Sequence, residues 1–369
     1  MKKSLVALAA LAATGAFAQS SVTLYGVGDI WLGQTKTTVT PTGGVSTGVA
    51  QVQIGSGGVN GSRFGLKGSE DLGGGLKANF QFENGFNLDT GSLAASSAVP
   101  TTTPPTPSPS LLFGRQAYVG FSGASWGEVR LGRQYTSYDE TRGGFDPQGH
   151  SAFSATAGGA WAAGRDYQFR IDNSITYSSP NFSGCQAGVT LGLGENKTAT
   201  ASAGRLYAIK ATYNNGPIGV GFAQQGEKGV LSGGGANANA AANDNETHTL
   251  FTGSYDFGVA KLGLGFNTSK DNVAGSAGKD KEFQVGVNVP LGALELIADF
   301  ATSKSAQSAT SAGQKTTGLG LEGRYALSKR TGGYLGFRNL KTDALAPTTG
   351  AVSGITKANI VAVGVRHFF

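Results

Sequence analysis

The sequence predicts an all-β, transmembrane, 16-stranded antiparallel β-barrel, and three observations carry that expectation. Segments such as Leu76-Lys77-Ala78-Asn79-Phe80-Gln81-Phe82-Glu83 and Glu282-Phe283-Gln284-Val285-Gly286-Val287-Asn288-Val289 alternate apolar and polar residues with period two. Short turn-forming clusters and long polar stretches alternate between such segments. The last segment, Val361 to Phe369, stops on an aromatic residue. A strand with one apolar and one polar face meets two solvents, and if lipid lies outside, the polar face encloses water.

The first element is a leader. Lys2 and Lys3 precede an apolar run from Leu5 to Ala13, and Ala16-Phe17-Ala18 forms a small-residue cleavage site, so residues 1–18 read as a secretory signal peptide. Residues 19–369 are then expected to form one barrel domain. Tight reversals follow at 70–75, 123–127, 179–184, 214–217, 256–258, 289–292 and 327–332, each made of Gly, Pro, Asn, Asp or Ser. Longer polar stretches lie around 35–61, 88–110, 136–169, 195–204, 227–245, 270–281, 303–315 and 341–356. Seven tight turns plus the meeting of the termini close one end eight times, and eight long loops close the other. That count requires sixteen strands, with short periplasmic turns and long outer loops. Tyr25, Trp31, Trp126, Tyr177, Tyr213, Tyr255 and Tyr325 fall near strand ends and are expected in aromatic girdles at the headgroups.

Composition excludes several alternatives. Charged residues make up 14% of the chain, against about 25% in soluble domains. The net charge of +6 falls to 6 − 2 = +4 without the leader, and its lysines and arginines are dispersed, so no nucleic-acid partner is expected. Cys185 is the single cysteine, which rules out an intrachain disulfide. Gly318-Leu319-Gly320-Leu321-Glu322-Gly323 satisfies G-x-G-x-x-G, but it lies within an alternating strand with no helix after it. His150, His248 and His367 lack partners at metal-ligand spacing, and no Ser, His and acid set forms a nucleophile elbow. Neither a cofactor, a metal nor an enzymatic activity is expected. What remains is charge inside the barrel: Arg63 shares parity with Lys67, and Arg170 with Asp172, Ser174 and Thr176, so both point to the lumen.

Ser21-Val22-Thr23-Leu24-Tyr25-Gly26, Ser62 through Leu76 (SRFGLKGSEDLGGGL), Gly127 through Arg133 (GEVRLGR) and Gly364 through Phe369 (GVRHFF) resemble the general porins of the Gram-negative outer membrane, in their betaproteobacterial branch. The resemblance implies a homotrimer of sixteen-stranded barrels, each with its third long loop folded into the pore as a charged eyelet. It carries the wall arginines onto Arg63, Arg133 and Arg170, and the facing loop acids onto Asp146 first and Glu140 next, with Asp139 and Asp166 on the same loop. Strict alternation sets Arg133 on the outer face with Val129 and Leu131, so a bulge at Gly132 is needed to turn it inward. Val27 stands where enterobacterial relatives often carry a lysine.

The implied function is a water-filled outer-membrane channel for small hydrophilic solutes and inorganic ions, weakly anion selective, in contact with lipid and lipopolysaccharide. A substrate-specific porin for one anion or polar solute is the alternative. An outer-membrane hydrolase lacks its nucleophile, and an adhesin draws only on the Thr/Pro-rich stretch from Pro100 to Ser110.

Overall fold

The computed structural model describes residues 21–94, 111–157, 167–195, 197, 199, 203–228, 245–271, 279–305, 313–347 and 349–369. The leader, the stretch from Pro100 to Ser110 and Asp166 lie outside them. Seventeen strand segments form one closed sheet. They are β1 (Ser21–Pro41), β2 (Thr47–Ser56), β3 (Arg63–Gly73), β4 (Leu76–Gly85), β5 (Gln116–Gly123) and β6 (Gly127–Tyr135). A helix, α1 (Ser137–Phe145), precedes β7 (Arg170–Ser178), β8 (Cys185–Leu193), β9 (Arg205–Asn215), β10 (Ile218–Lys228) and β11 (Asn245–Asp256). The remainder are β12 (Lys261–Asp271), β13 (Lys279–Leu291), β14 (Leu294–Lys304), β15 (Gly313–Ala326), β16 (Thr331–Leu345) and β17 (Val352–Phe368).

Sixteen staves make the barrel, because β2 and β3 are two halves of one. Ile30 to Val39 of β1 pair with β2, and Ser21 to Val27 pair with β3. The break at 57–62 is held by Asp29, whose carboxylate accepts from the backbone N–H groups of Gly58, Val59 and Asn60 at 2.8–3.0 Å and from the Tyr334 hydroxyl at 2.6 Å. Every other neighbour pairs antiparallel in chain order.

All seven tight turns fall between strands as the sequence predicts. The first long stretch does not behave as a loop: β1 continues to Pro41 and β2 resumes at Thr47, so a ribbon replaces most of the loop expected over 35–61. Its Thr and Val residues suit extended backbone, which local polarity alone conceals.

Alternation sorts the faces. Val361, Val363 and Val365 are 46%, 56% and 42% exposed while Ile360 and Ala362 are buried. The exposed parity is the lipid face and the buried parity the inner one. Trp126, Tyr177, Tyr255 and Tyr325 lie on the exposed side near the turn end. Tyr25 and Trp31 do not: they occupy inner positions of β1, Tyr25 donating to Glu83 at 2.9 Å and Trp31 packing with Val59, Phe153 and Tyr334. Nearness to a strand end says nothing about face, and parity overrides it.

The carboxy terminus closes the barrel. Gly26 N donates to Phe369 O at 3.0 Å and Phe369 N to Gly26 O at 3.1 Å, and the Phe369 ring covers Gly26 where a Cβ would overlap it. Deleting Phe369 removes both bonds and the ring, so less heat-modifiable folded barrel is expected from the same amount of synthesised chain. An unchanged folded fraction on unheated gels contradicts this role.

Candidate pore-lining site

The connection between β6 and β7 is not a simple outer loop. Thr136 caps α1 by accepting from Asp139 N at 3.2 Å, Asp139 and Glu140 sit in its first turn where the helix dipole favours acids, and Pro147 follows its end. The helix packs on the inner face of the barrel, its Tyr138 and Phe145 buried with Ile171, Leu206, Ala208, Ala223 and Leu250. Each large side chain so buried contributes about 1.5–3 kcal/mol, and Tyr138 also donates to Asn267 at 2.5 Å.

Beyond the helix, residues 146–157 follow the inner face of β13 to β16. Asp299 of β14 anchors them: its carboxylate accepts from Ala155 N at 3.0 Å, Ser154 Oγ at 3.0 Å and Gln148 Nε2 at 2.9 Å. Ser151 donates to Glu322, and Arg338 donates to Ala152 O at 2.7 Å. The loop backbone lies in a trough floored by glycines. A Cβ on Gly318 would strike Ala155 O, one on Gly320 would strike Phe153 O and Asp299, and one on Gly336 would occupy the place of the Phe153 ring. The G-x-G-x-x-G run is therefore a bed for a chain segment, which is why it stands in a strand.

The opposite inner wall carries a chain of basic groups. Arg63 of β3 lies 3.5 Å from Glu83 of β4; Arg115 donates to the other Glu83 oxygen at 2.6 Å and to the Tyr135 hydroxyl at 2.8 Å. Arg170 donates to the same hydroxyl at 2.9 Å and stacks 4.7 Å from the Tyr135 ring. Arg63 and Arg170, both singled out in the sequence, are thus joined by Arg115, which was not. Arg115 precedes β5 in a connection, where parity gives no direction.

Arg133 lies beside that chain, in an ion pair of its own. The expected irregularity exists, with Gly132 at φ +135° and a register shift between Gly132 and Gln134. Arg133 nevertheless keeps its pairing with Ala117, and its guanidinium bonds to Asp172 and to Gly114 O at 2.8 Å. The same irregularity, with Asn173 at φ +50°, undoes the parity argument for Arg170: Ile171 is buried beside α1, and Tyr135 fixes the guanidinium.

The loop acids are bound too. Glu140 accepts from Arg130 at 2.9 Å and Lys210 at 2.6 Å. Asp146 accepts from Gln148 N at 3.0 Å, His150 N at 3.1 Å and Gln284 at 3.2 Å, so it shapes the turn after α1. Asp139 accepts from Tyr167 at 2.5 Å.

Burial alone would raise the Glu140 pKa, but Lys210 and Arg130 outweigh it and hold the carboxyl below its ordinary value. A depressed folded pKa means the clamp contributes fully above the unfolded value and is lost as pH falls through the lower folded one. On acidification below the ordinary carboxylate range, wild-type channels are expected to grow noisier as α1 loosens. Glu140→Gln should be noisy already at pH 7 and lack that acid step in planar-bilayer recordings.

A closed barrel with an apolar outer band, a charged inner wall and a chain segment lodged against that wall defines a membrane-spanning pore protein. Residues 4–345 match the Gram-negative porin family. The chain is 34% identical to outer membrane porin protein 32 of Delftia acidovorans and 29% identical to a porin of Bordetella pertussis, each over the full length of both chains. Its fold superposes on an anion-selective porin from Comamonas acidovorans with a TM-score of 0.72, at 28% identity, covering 95% of this chain and 100% of that one. The chain belongs to the Gram-negative porin family, and it is a multi-pass β-barrel of the outer membrane.

Proposed function

We propose that the channel passes small hydrophilic solutes and ions with a weak preference for anions, and that the segment 136–157 narrows it. The observation that carries this reading is the linked set Arg63, Arg115 and Arg170 with only Glu83 among them: three positive charges against one negative, a surplus of 3 − 1 = +2. Glu140 of α1 is matched by Arg130 and Lys210, so that loop acid adds no unbalanced negative charge against the set. In a narrow opening such charges are screened less than at an open surface, where the Debye length is about 8 Å at physiological salt. The similarity to an anion-selective porin supports the same sign. A reversal potential measured across a salt gradient tests it: clear cation preference overturns the proposal.

The same reading includes a homotrimer built on the outer face of β1 to β5. Val52, Ile54, Phe64 and Val119 are exposed there, Phe82 stacks with Phe113, and Gly28 leaves room for Leu88. Native mass spectrometry in mild detergent should find three copies; a monodisperse monomer contradicts the arrangement.

A further inference from the structure

Below the linked arginines, towards the tight turns, the inner wall of β3 to β5 carries aromatic rings beside an ammonium group. Lys67 pairs with Gln81 and Gln81 with Tyr118, in one row across β3, β4 and β5. Tyr25 of β1 leans onto the same row: a Cβ on Gly65, two residues from Lys67, would overlap its ring. Lys67 lies four residues beyond Arg63 on β3, about 13 Å along a strand. The row is therefore a level of its own, on the periplasmic side of the arginines.

Both rings are held in place. Tyr25 donates to Glu83 at 2.9 Å and accepts from Gln81 Nε2 at 2.7 Å, while Tyr118 donates to Gln81 Oε1 at 3.0 Å. One amide thus fixes two phenols, and their hydroxyl protons are used within the wall. Ring surface is left to face the lumen, together with the Lys67 ammonium, which is exposed and stands 5.1 Å from the Tyr25 ring centroid. Among the described residues, no carboxylate lies within ion-pair distance of Lys67. Glu83 is shared by Arg63 and Arg115, and the Arg130 guanidinium, 5.3 Å from the Tyr118 ring, is bonded to Glu140. Rings of fixed orientation favour offset or edge contacts with another ring, and an ammonium favours a carboxylate. A solute with its carboxylate directly on a planar ring supplies both in one short rigid body, so little rotamer freedom is lost on binding.

We propose that Lys67, Tyr25 and Tyr118 form a binding subsite for small aromatic carboxylates on the periplasmic side of the narrowing. The subsite rests on the reading of the lumen as an anion-admitting channel, since a solute entering from outside passes Arg63, Arg115 and Arg170 first. The test records chloride current through the full-length folded protein in a planar bilayer while benzoate, cyclohexanecarboxylate or acetate is added on both sides, and reads the half-blocking concentration. Benzoate should block at a concentration about fivefold below that of cyclohexanecarboxylate, which has the same charge and no planar ring, and acetate should be weaker still. Lys67→Gln and Tyr118→Leu should each raise the benzoate value about fivefold, whereas Lys67→Arg and Tyr118→Phe should stay close to wild type. Equal block of the wild-type channel by benzoate and cyclohexanecarboxylate overturns the subsite, and this comparison needs no variant to fold. Wild-type block by benzoate in folded Lys67→Gln and Tyr118→Leu overturns it too. The wild-type reversal potential in potassium chloride, read in the same membranes, separates the two readings: anion preference without ring-selective block defeats the subsite alone, and cation preference defeats the reading beneath it.

Discussion

Gly320→Val is expected to dislodge residues 146–157 from the barrel wall and convert a steady open channel into a noisy one. A Cβ at this position overlaps Phe153 O, Asp299 Oδ1 and Ala155 N, the atoms that seat the segment. The branched side chain cannot be accommodated by a rotamer change, because two of the three obstacles are backbone. Asp299 then loses its bonds from Ala155 and Ser154 and is left under-partnered in a buried site. Hydrogen bonds to charged groups are worth about 1.5–3 kcal/mol each, so losing two or three outweighs whatever contact the valine gains. Gly323→Ala in the same motif is the control, since its Cβ would meet only Leu296 at 3.6 Å. Open-channel current noise should rise severalfold in Gly320→Val and remain unchanged in Gly323→Ala. Trypsin should also cleave after Arg142 in the first variant and not in the second. A quiet, protease-resistant Gly320→Val channel means that the glycine trough does not hold the loop.

The strands and turns were legible because both signals are local: alternation sets the face, and Gly, Pro and Asn mark reversals. The lodged segment was harder to read because its determinants are distributed. The sequence of α1 contains two glycines and is nine residues long, too short and too weak a helix former to announce itself. Tertiary packing stabilises it. A signal did exist in the strands, since Leu206, Ala208, Ala223 and Leu250 stand at inner parity where a wet lumen would favour polar residues. Apolar residues on the inner face of β9 to β11 imply that something covers them. Gly318, Gly320 and Gly336 carry the same message for β15 and β16, as positions where another backbone approaches closely. The charged site was half legible. Arg63 follows from alternation, whereas Arg115 lies outside any strand and Arg133 lies at an irregularity, so parity cannot direct either.

Removing Arg63 and Arg115 together should move the channel from anion preference towards cation preference, and this effect should exceed that of any change at Arg133. The linked set runs from Arg63 through Glu83 to Arg115, then through the Tyr135 hydroxyl to Arg170. Replacing the first two arginines by serine leaves Arg170 against Glu83, which changes the local balance from +2 to 1 − 1 = 0. Arg133→Ser leaves Asp172 without its ion-pair partner, a change of one charge beside that set against two in the double variant, so its reversal potential should shift less than in the double variant while its melting temperature falls. Glu83→Gln separates charge from structure in the other direction. It keeps a side chain able to accept from Arg115 but raises the local sum to +3, so anion preference should increase. Because the effect is electrostatic, all three shifts should shrink as salt is raised towards 1 M, where the Debye length falls to about 3 Å. Reversal potentials across a tenfold potassium chloride gradient check the order: Glu83→Gln most anion selective, then wild type, then Arg133→Ser, then R63S/R115S. If Arg133→Ser moves the potential as far as the double variant, the basic wall is centred on Arg133 and not on Arg115.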